Sequence, residues 1–217
     1  MKKADQARHG RTRPLTQGEI VDAAFTVVAR AGLEGLTLRS LAAELGISNP
    51  SLYWHFANKQ QIVDAMAHRL VEASAVTIGP DDDWRSALER FAGAFRDALA
   101  SCRDGARIVA TADLRTDTMA ARLEPAVRLL HVAGLSSLDA LLAILAIGDY
   151  TLGATFESEE DPSRSPETSP DPERDASRFP ELSAALEQMA AKRITEDDTF
   201  ASGVRLILDG ISVRISR

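Results

Sequence analysis

The chain has 217 residues, of which 45% are apolar and 5% aromatic, so it can bury the core of one large domain or two small ones. Strand-forming runs are scarce, while Ala and Leu, both strong helix formers, recur at helical spacing. The single cysteine, Cys102, excludes an internal disulfide and a cysteine-based zinc site within one chain. The composition therefore predicts an all-α protein of the reducing cytoplasm.

Charge is divided unevenly along the chain. Residues 1–60 carry eight Lys and Arg against five Asp and Glu, whereas the remaining residues carry 17 against 27, for a net charge of −7. The positive end is the candidate for binding a polyanion. Its first 15 residues form a basic arm without the long apolar segment of a signal peptide, and this flexible arm fits a solvated tail and a DNA-contacting arm equally well. The apolar stretches at 140–148 and 150–156 are too short to span a bilayer, so no membrane partner is expected.

Four helices are predicted in the first third of the chain. Apolar spacing and capping residues predict a first helix over 16–32, a two-turn helix from the N-cap Thr37 to Gly46, and a short third helix over 49–56. A fourth helix follows the N-cap Asn58 and is expected to run to the Gly-Pro pair at 79–80.

The second part of the chain also reads as helical. The aspartates at 81–83 precede a helical stripe over 84–99, which favours a helix N-terminus over a metal cluster. Segments near 105–112 and 119–133 lead to a helix over 137–156 that is apolar on almost every side. Such a helix must be covered on every side, here by its own domain and by a partner subunit.

The last part of the chain combines a loop with two helices. Residues 157–178 contain four prolines and one apolar residue, which predicts a mobile surface loop. An amphipathic helix and a final helix over 196–215 follow. The predicted division is a flexible arm over 1–15, a first domain over 16–62, and a second domain over 63–217.

A compact helical corner is the feature most suggestive of function. The second and third predicted helices are joined by Gly46, Ile47 and Ser48, a geometry that can place one helix in a DNA major groove. Helical corners also serve as packing units, so the chemistry of the outward side chains has to distinguish packing from DNA binding. Those of the third helix can form hydrogen bonds or contact phosphates, and they are Asn49, Ser51, Tyr53, Trp54 and His55. Lys59 combines a cation with the free N–H groups of a helix N-terminus, as in a phosphate clamp.

These residues resemble a known signature. The segment 35–47, with Gly-Leu-Thr-Leu-Arg, Leu-Ala and Gly-Ile, followed by Pro-Ser-Leu-Tyr-Trp-His-Phe at 50–56 and Asn-Lys at 58–59, is similar to the DNA-binding signature of the tetracycline-repressor (TetR) family. A weaker resemblance continues through the segment 84–106, residues 151–153 and the final helix. The resemblance thus extends over nearly the whole chain, and it implies that the protein is a helix-turn-helix transcriptional regulator.

The resemblance also implies residue roles. Base contacts are implied for Arg39, Asn49, Pro50 and Ser51, and contacts with or near the DNA backbone for Thr37, Tyr53, His55 and Lys59. Thr37 fits a plain helix cap equally well, and Trp54 can be a packing residue. Arg39, Tyr53 and Lys59 have no equally good structural explanation.

The effector site differs from that of tetracycline repressors. In those proteins a histidine helps coordinate the drug's magnesium and an asparagine binds the drug, whereas the matching positions here are Val109 and Phe91. An aromatic pocket residue is kept as Phe95. A metal-independent cavity for an apolar or amphipathic small molecule is therefore expected, with no cofactor. The candidate ligand-binding residues are Ser74, Phe91, Phe95, Val109, Ala112, Leu141, Ile144, Leu145, Gly148, Leu182, Leu186 and Met189. The last three match a helix that closes the partner's pocket in similar repressors, and they fit a packed amphipathic helix equally well.

Other classes of function explain fewer of these features. Possible catalytic groups at His68, His131, Asp139 and Asp149 have no nucleophile or phosphate loop at a recognisable spacing, so an enzyme is not expected. A carrier or a protein adaptor would leave the basic and aromatic residues of the corner unexplained. The expected protein is a homodimeric repressor in which helices 137–156 and 196–215 form a four-helix bundle with their symmetry mates. Two-fold symmetry then requires a palindromic operator.

Overall fold

A computed structural model describes residues 14–79, 81–160 and 178–216. These residues form ten helices and no strand. Most of the predicted basic arm, and residues 161–177 of the predicted loop, lie outside the described ranges. The helices are α1 (Gln17–Gly35), α2 (Leu38–Leu45), α3 (Asn49–Tyr53), α4 (Lys59–Ala73), α5 (Trp84–Ala100), α6 (Gly105–Thr111), α7 (Asp117–Val132), α8 (Ser137–Glu160), α9 (Pro180–Lys192) and α10 (Glu196–Ile215). The all-α prediction is confirmed.

Capping residues set the helix boundaries of the first domain. The Thr37 side chain accepts the N–H of Ser40 in a capping box that starts α2. Gly46 ends α2 in the left-handed conformation, at φ 65°, which a glycine adopts without steric cost. Gly32, at φ 69°, interrupts α1 at the predicted end of the first helix, and a short helical turn continues to Gly35. These local signals produce the tight α2–α3 corner.

Three predicted boundaries are wrong. α3 ends at Tyr53 because the next two residues close a turn on the Leu52 carbonyl instead of extending the helix. α4 ends at Ala73, before the predicted Gly-Pro break, because the hydroxyl of Ser74 takes the Val71 carbonyl. α8 continues to residue 160, so the first four residues of the predicted loop are helical.

Two apolar cores hold the chain together. The first contains side chains of α1 to α4 and extends into the second part of the chain through Phe95, Leu99, Ile108 and Val109. The second joins α5, α7, α8 and α10, with Leu88, Leu130, Ile144 and Leu208 fully or almost fully buried. Helices α1 to α4 thus share a core with α5 and α6.

An apolar face on α8 and α10 is uncovered in the single chain. By length and composition alone α8 could span a membrane, yet it packs as a core helix against α5, α7 and α10. Leu142 is 51% exposed, and Leu138 and Leu145 lie on the same side of α8. Leu206 of α10 is 70% exposed, and Val213 lies two turns further along. Each helix therefore has an outward apolar stripe that a second subunit can bury.

Candidate functional site

The exposed face of α3 and the turn after it is polar and aromatic. Tyr53 is 57% exposed and Trp54 is 89% exposed, while Leu52 and Phe56 of the same segment are buried. The interpretation of Trp54 as a packing residue is therefore wrong. Two large aromatic side chains are held in solvent because their neighbours anchor the turn in the first core. Both side chains can therefore contact a large polar partner.

The predicted base-reading residues lie on this same side of the chain. Asn49 and Pro50 are exposed in the first turn of α3, and Ser51 is half-buried with its hydroxyl 3.1 Å from that of Ser48. Arg39 on α2 is exposed and forms no hydrogen bond or ion pair with any described residue. Its guanidinium is free to bind a ligand.

Two of the residues predicted to contact the DNA backbone form structural hydrogen bonds, Thr37 through its side chain and His55 through its main chain. The hydroxyl of Thr37 is used by the capping box of α2, as in the capping alternative. His55 is half-buried, and its carbonyl accepts a hydrogen bond from the Gln17 side-chain amide at 3.1 Å. This bond attaches the end of the α3 segment to the start of α1, so the aromatic surface has a fixed support.

Lys59 has a partner that the sequence did not reveal. Its ammonium nitrogen donates to the carbonyl oxygen of Leu33 at 3.0 Å, and the side chain is half-buried. The N–H of Leu33 donates to a carboxylate oxygen of Asp104 at 2.5 Å. Both groups are accessible because Gly32 interrupts the helix. The statement that Lys59 lacks a structural role is wrong, although an ammonium has three N–H donors and can also contact a phosphate.

A cavity of about 850 Å³ lies at the other end of α4. The structure brings seven of the predicted ligand-binding residues to its wall: Ser74, Phe91, Phe95, Val109, Ile144, Leu145 and Gly148. The rings of Phe91 and Phe95 stack with centroids 6.1 Å apart and form an aromatic section of the wall. Its volume is in the range of small-molecule sites, so the cavity fits an organic ligand of several hundred daltons.

Five predicted residues do not line this cavity. Ala112 packs against the first core, and Leu141 lies half-buried elsewhere on α8. The α9 side chains Leu182, Leu186 and Met189 are exposed in the single chain. Of these, Met189 lines a second cavity of about 600 Å³ between α8, α9 and α10. The cross-subunit role of α9 stays a prediction.

Sequence reasoning missed the contribution of α7. Met119, Arg122, Leu123 and Ala126 project into the cavity from one face of this helix. Their i, i+3, i+4, i+7 spacing was a usable signal. Val71, Val76 and Ile78, at and beyond the end of α4, complete much of the apolar wall.

Polar contacts connect the cavity wall to the DNA-binding segment. α6, which supplies Val109 to the wall, forms an ion pair between Arg107 and Glu34 of α1. The Gln60 side chain of α4 donates to the carbonyl of Thr111 at the end of α6 at 2.9 Å. α4 and α6 are therefore attached to each other, and α6 is attached to α1.

The ionisable groups near α6 are arranged for packing. Burial, with the nearby carboxylates of Glu159 and Asp104, raises the pKa of the Cys102 thiol to about 11, which keeps it protonated and unreactive. Burial also raises the pKa of Glu159, whose carboxylate accepts the N–H of Ala106 at 3.0 Å.

Two of the four polar groups considered as catalytic candidates, His131 and Asp139, have ordinary structural partners. Asp139 accepts from the hydroxyl of Ser136 and pairs with Arg214, and a ring nitrogen of His131 lies 2.9 Å from the Leu135 carbonyl. Asp83 caps α5, in agreement with the helix interpretation of the aspartate run. Within the described ranges, no three His, Cys, Asp or Glu side chains form a group that could hold a metal ion.

Comparisons with known proteins agree with this geometry. Residues 20–66 match the family model described as bacterial regulatory proteins, tetR family, and residues 79–215 match the tetracyclin repressor-like C-terminal domain. The class A tetracycline repressor of transposon 1721 from Escherichia coli is 37% identical over 92% of this chain and 92% of its own.

Solved structures extend the comparison to complexes. A TetR variant from Acinetobacter baumannii AYE, in complex with minocycline, is 28% identical with a TM-score of 0.73 over 94% of this chain and 99% of that one. BioQ bound to its double-stranded DNA operator is 26% identical with a TM-score of 0.65 over 92% and 99% of the two chains. The chain therefore belongs to the TetR family of bacterial transcriptional repressors, with an N-terminal DNA-binding domain and a C-terminal ligand-binding domain.

Proposed function

We propose that this protein is a cytoplasmic repressor that an apolar or amphipathic small molecule releases from its operator, by binding alone and without metal or catalysis. Residues 16–62 form the DNA-binding unit, and residues 63–217 form the unit for ligand and dimerisation. One observation carries the proposal: α4 begins at Lys59, beside the α2–α3 corner, and the residues at its other end line the 850 Å³ cavity. A ligand that displaces this end of α4 moves the corner.

The DNA surface is assigned from exposure and chemistry. Arg39 and the first turn of α3 read base edges, while Tyr53 and Lys59 contact phosphates. Trp54 supports this surface because an indole that is 89% exposed gains from contact with a sugar or base edge. A good bidentate base contact contributes about 1–3 kcal/mol of discrimination, so Arg39 has the largest effect on specificity.

Dimerisation places two such surfaces on one operator. The outward stripes of α8 and α10 pack against the same stripes of a second copy as a four-helix bundle. The α9 side chains then cover the partner's cavity. The operator is palindromic because the two recognition helices are related by the dimer axis.

Tetracycline is the competing effector because the relatives include tetracycline repressors and a minocycline complex. The cavity wall argues against it. Val109 is an aliphatic side chain where a metal-coordinating group is expected, and Phe91 stacks on Phe95 where a drug-binding amide is expected. At these two positions the wall thus lacks the polar groups that the resemblance assigns to binding of the drug's magnesium chelate.

Operator release provides the test. Full-length dimer is titrated onto DNA upstream of its own and neighbouring genes, footprinted, and then measured by fluorescence anisotropy with a library of apolar and amphipathic compounds. Compounds that bind the cavity should weaken operator binding and should themselves bind more weakly when operator is present, because coupling is reciprocal. Release by tetracycline that requires magnesium would establish the competing effector and refute the assigned pocket chemistry.

A further inference from the structure

One arginine in the cavity wall has no anionic partner among the residues that the structure describes. Arg122 on α7 is half-buried between apolar wall residues. Its guanidinium donates to the carbonyl oxygen of Val71 at 2.5 Å, and no carboxylate among the described residues lies within ion-pair distance. A charge held away from water is usually paired. One N–H of this guanidinium donates to a neutral carbonyl, and its other N–H donors can bind a ligand.

The other charged groups of the wall do not compensate this cation. Arg115 is exposed and already pairs with Asp113 at 2.9 Å. Asp117 and Asp149 are exposed at the cavity rim and form no ion pair with Arg122. The half-buried charge of the wall is therefore positive, in a cavity whose remaining surface is mainly aliphatic and aromatic.

From this arrangement we infer that the effector is an amphipathic organic anion whose acidic group binds the guanidinium of Arg122 while its apolar part fills the cavity. The inference rests on the proposed function, since it names the ligand class of the same cavity. A guanidinium presents parallel N–H donors that match a carboxylate or sulfonate, and such charge-assisted bonds strengthen where water is excluded. A neutral ligand of the same shape lacks this contribution.

The position of Arg122 also relates the acidic group to DNA release. Val71 lies in the last turn of α4, where the carbonyls carry the negative end of the helix dipole and favour a nearby cation. An anion that draws the guanidinium into the cavity removes that cation from α4. The ligand's charge thus acts on the helix that carries Lys59 at its other end.

A matched pair of fluorescent probes tests the charge. 8-Anilinonaphthalene-1-sulfonate and N-phenyl-1-naphthylamine share one aromatic skeleton and differ by the sulfonate. Both are titrated into the full-length dimer. We expect the sulfonate probe to bind the wild type more tightly, and Arg122→Met to weaken it at least tenfold, roughly the effect of removing one charge-assisted hydrogen bond, with the neutral probe unchanged. Arg122→Lys keeps the cation and should retain an intermediate affinity.

Two further variants locate the binding and control for charge. Arg128→Met makes the same charge change on an exposed face of α7 outside the cavity, and it should leave both affinities unchanged. Gly148→Trp fills the cavity from α8, where a side chain meets open space, and it should abolish binding of both probes.

The outcomes separate the two proposals. If the wild type binds neither probe, or Gly148→Trp leaves the neutral probe bound, the cavity is not the effector site and both proposals fall. If the cavity binds the neutral probe and Arg122→Met leaves the sulfonate affinity unchanged, only the anionic ligand is refuted. Because the neutral probe reports an intact cavity in Arg122→Met, loss of both probes in that variant also refutes a specific charge contact.

Discussion

Replacing Lys59 with methionine separates the two roles assigned to its ammonium group. Methionine keeps the length and apolar stem of the side chain but cannot donate to the Leu33 carbonyl. Hydrogen bonds that involve a charged group contribute about 1.5–3 kcal/mol, and the partial exposure of Lys59 places this bond near the lower end. A loss of about 1.5 kcal/mol should lower Tm by roughly 3–6 °C for a chain of this length. The DNA role adds a second effect: the salt slope of log K should fall by about 0.9 for each phosphate that the variant no longer neutralises.

The assay combines thermal unfolding, followed by circular dichroism, with anisotropy titrations against operator and random duplexes at two salt concentrations. Titrations are performed well below the Tm of the variant, so that all the protein is folded. Arg39→Met is the matched control because Arg39 is exposed and has no partner among the described residues. This control should leave Tm unchanged and reduce the preference for operator over random DNA. Lys59→Met should instead weaken binding to both duplexes by the same factor.

Each role can fail independently. An unchanged Tm in Lys59→Met would show that the bond to Leu33 contributes nothing to the free energy of unfolding. A lowered Tm with unchanged affinity and salt slope would show that Lys59 supports the α1 break and does not contact a phosphate. Equal effects of both substitutions on operator and random DNA would refute the division between base reading and phosphate binding.

Three further predictions concern the dimer interface, the half-buried carboxyl of Glu159, and the close contact between Gly105 and Leu99. Leu142→Glu introduces a charge into the outward stripe of α8, and light scattering at micromolar concentration should detect a monomer; an intact dimer would contradict the proposed bundle. The raised pKa of Glu159 means that its contribution to stability is full below the pKa of the unfolded chain and is lost as the pH rises through the folded pKa. Glu159→Gln should therefore unfold at a higher Tm than the wild type at about pH 8 and show a smaller gain at about pH 5, and a constant difference would refute the assigned cause. Gly105→Ala should lower Tm by several degrees, because its methyl group would lie 2.0 Å from the carbonyl oxygen of Leu99, and an unchanged Tm would show that the α5–α6 junction opens easily.

Local chemistry made most of the fold predictable. Thr37, Gly46 and Asn58 cap or end helices through their own side chains or backbone, and such signals do not depend on distant residues. The outward position predicted for Asn49 and Tyr53 also agrees with their exposure. Boundaries failed where a hydrogen bond competes with helix continuation, as at Ser74, whose hydroxyl takes the carbonyl of Val71.

The candidate site was predictable where a single helix supplies it. The exposed face of α3 could be listed from sequence because its members are adjacent in the chain. Lys59 was misjudged because its partner, Leu33, lies 26 residues earlier and becomes accessible only at the break in α1. Arg122 was missed for a similar reason, since its unpaired charge is recognised only when the helices around the cavity are assembled.

Phe95 and Val109 belong at once to the wall of the effector cavity and to the core that supports the α2–α3 corner. Other wall residues, such as Leu123 and Ala126, line the cavity from α7 and pack into the second core instead. Mutational drift toward a new effector can therefore proceed through Leu123 and Ala126 while operator recognition is preserved. At Phe95, Val109 and the other wall residues of the first core, a change of ligand preference and a change in the basal strength of repression are inherited together.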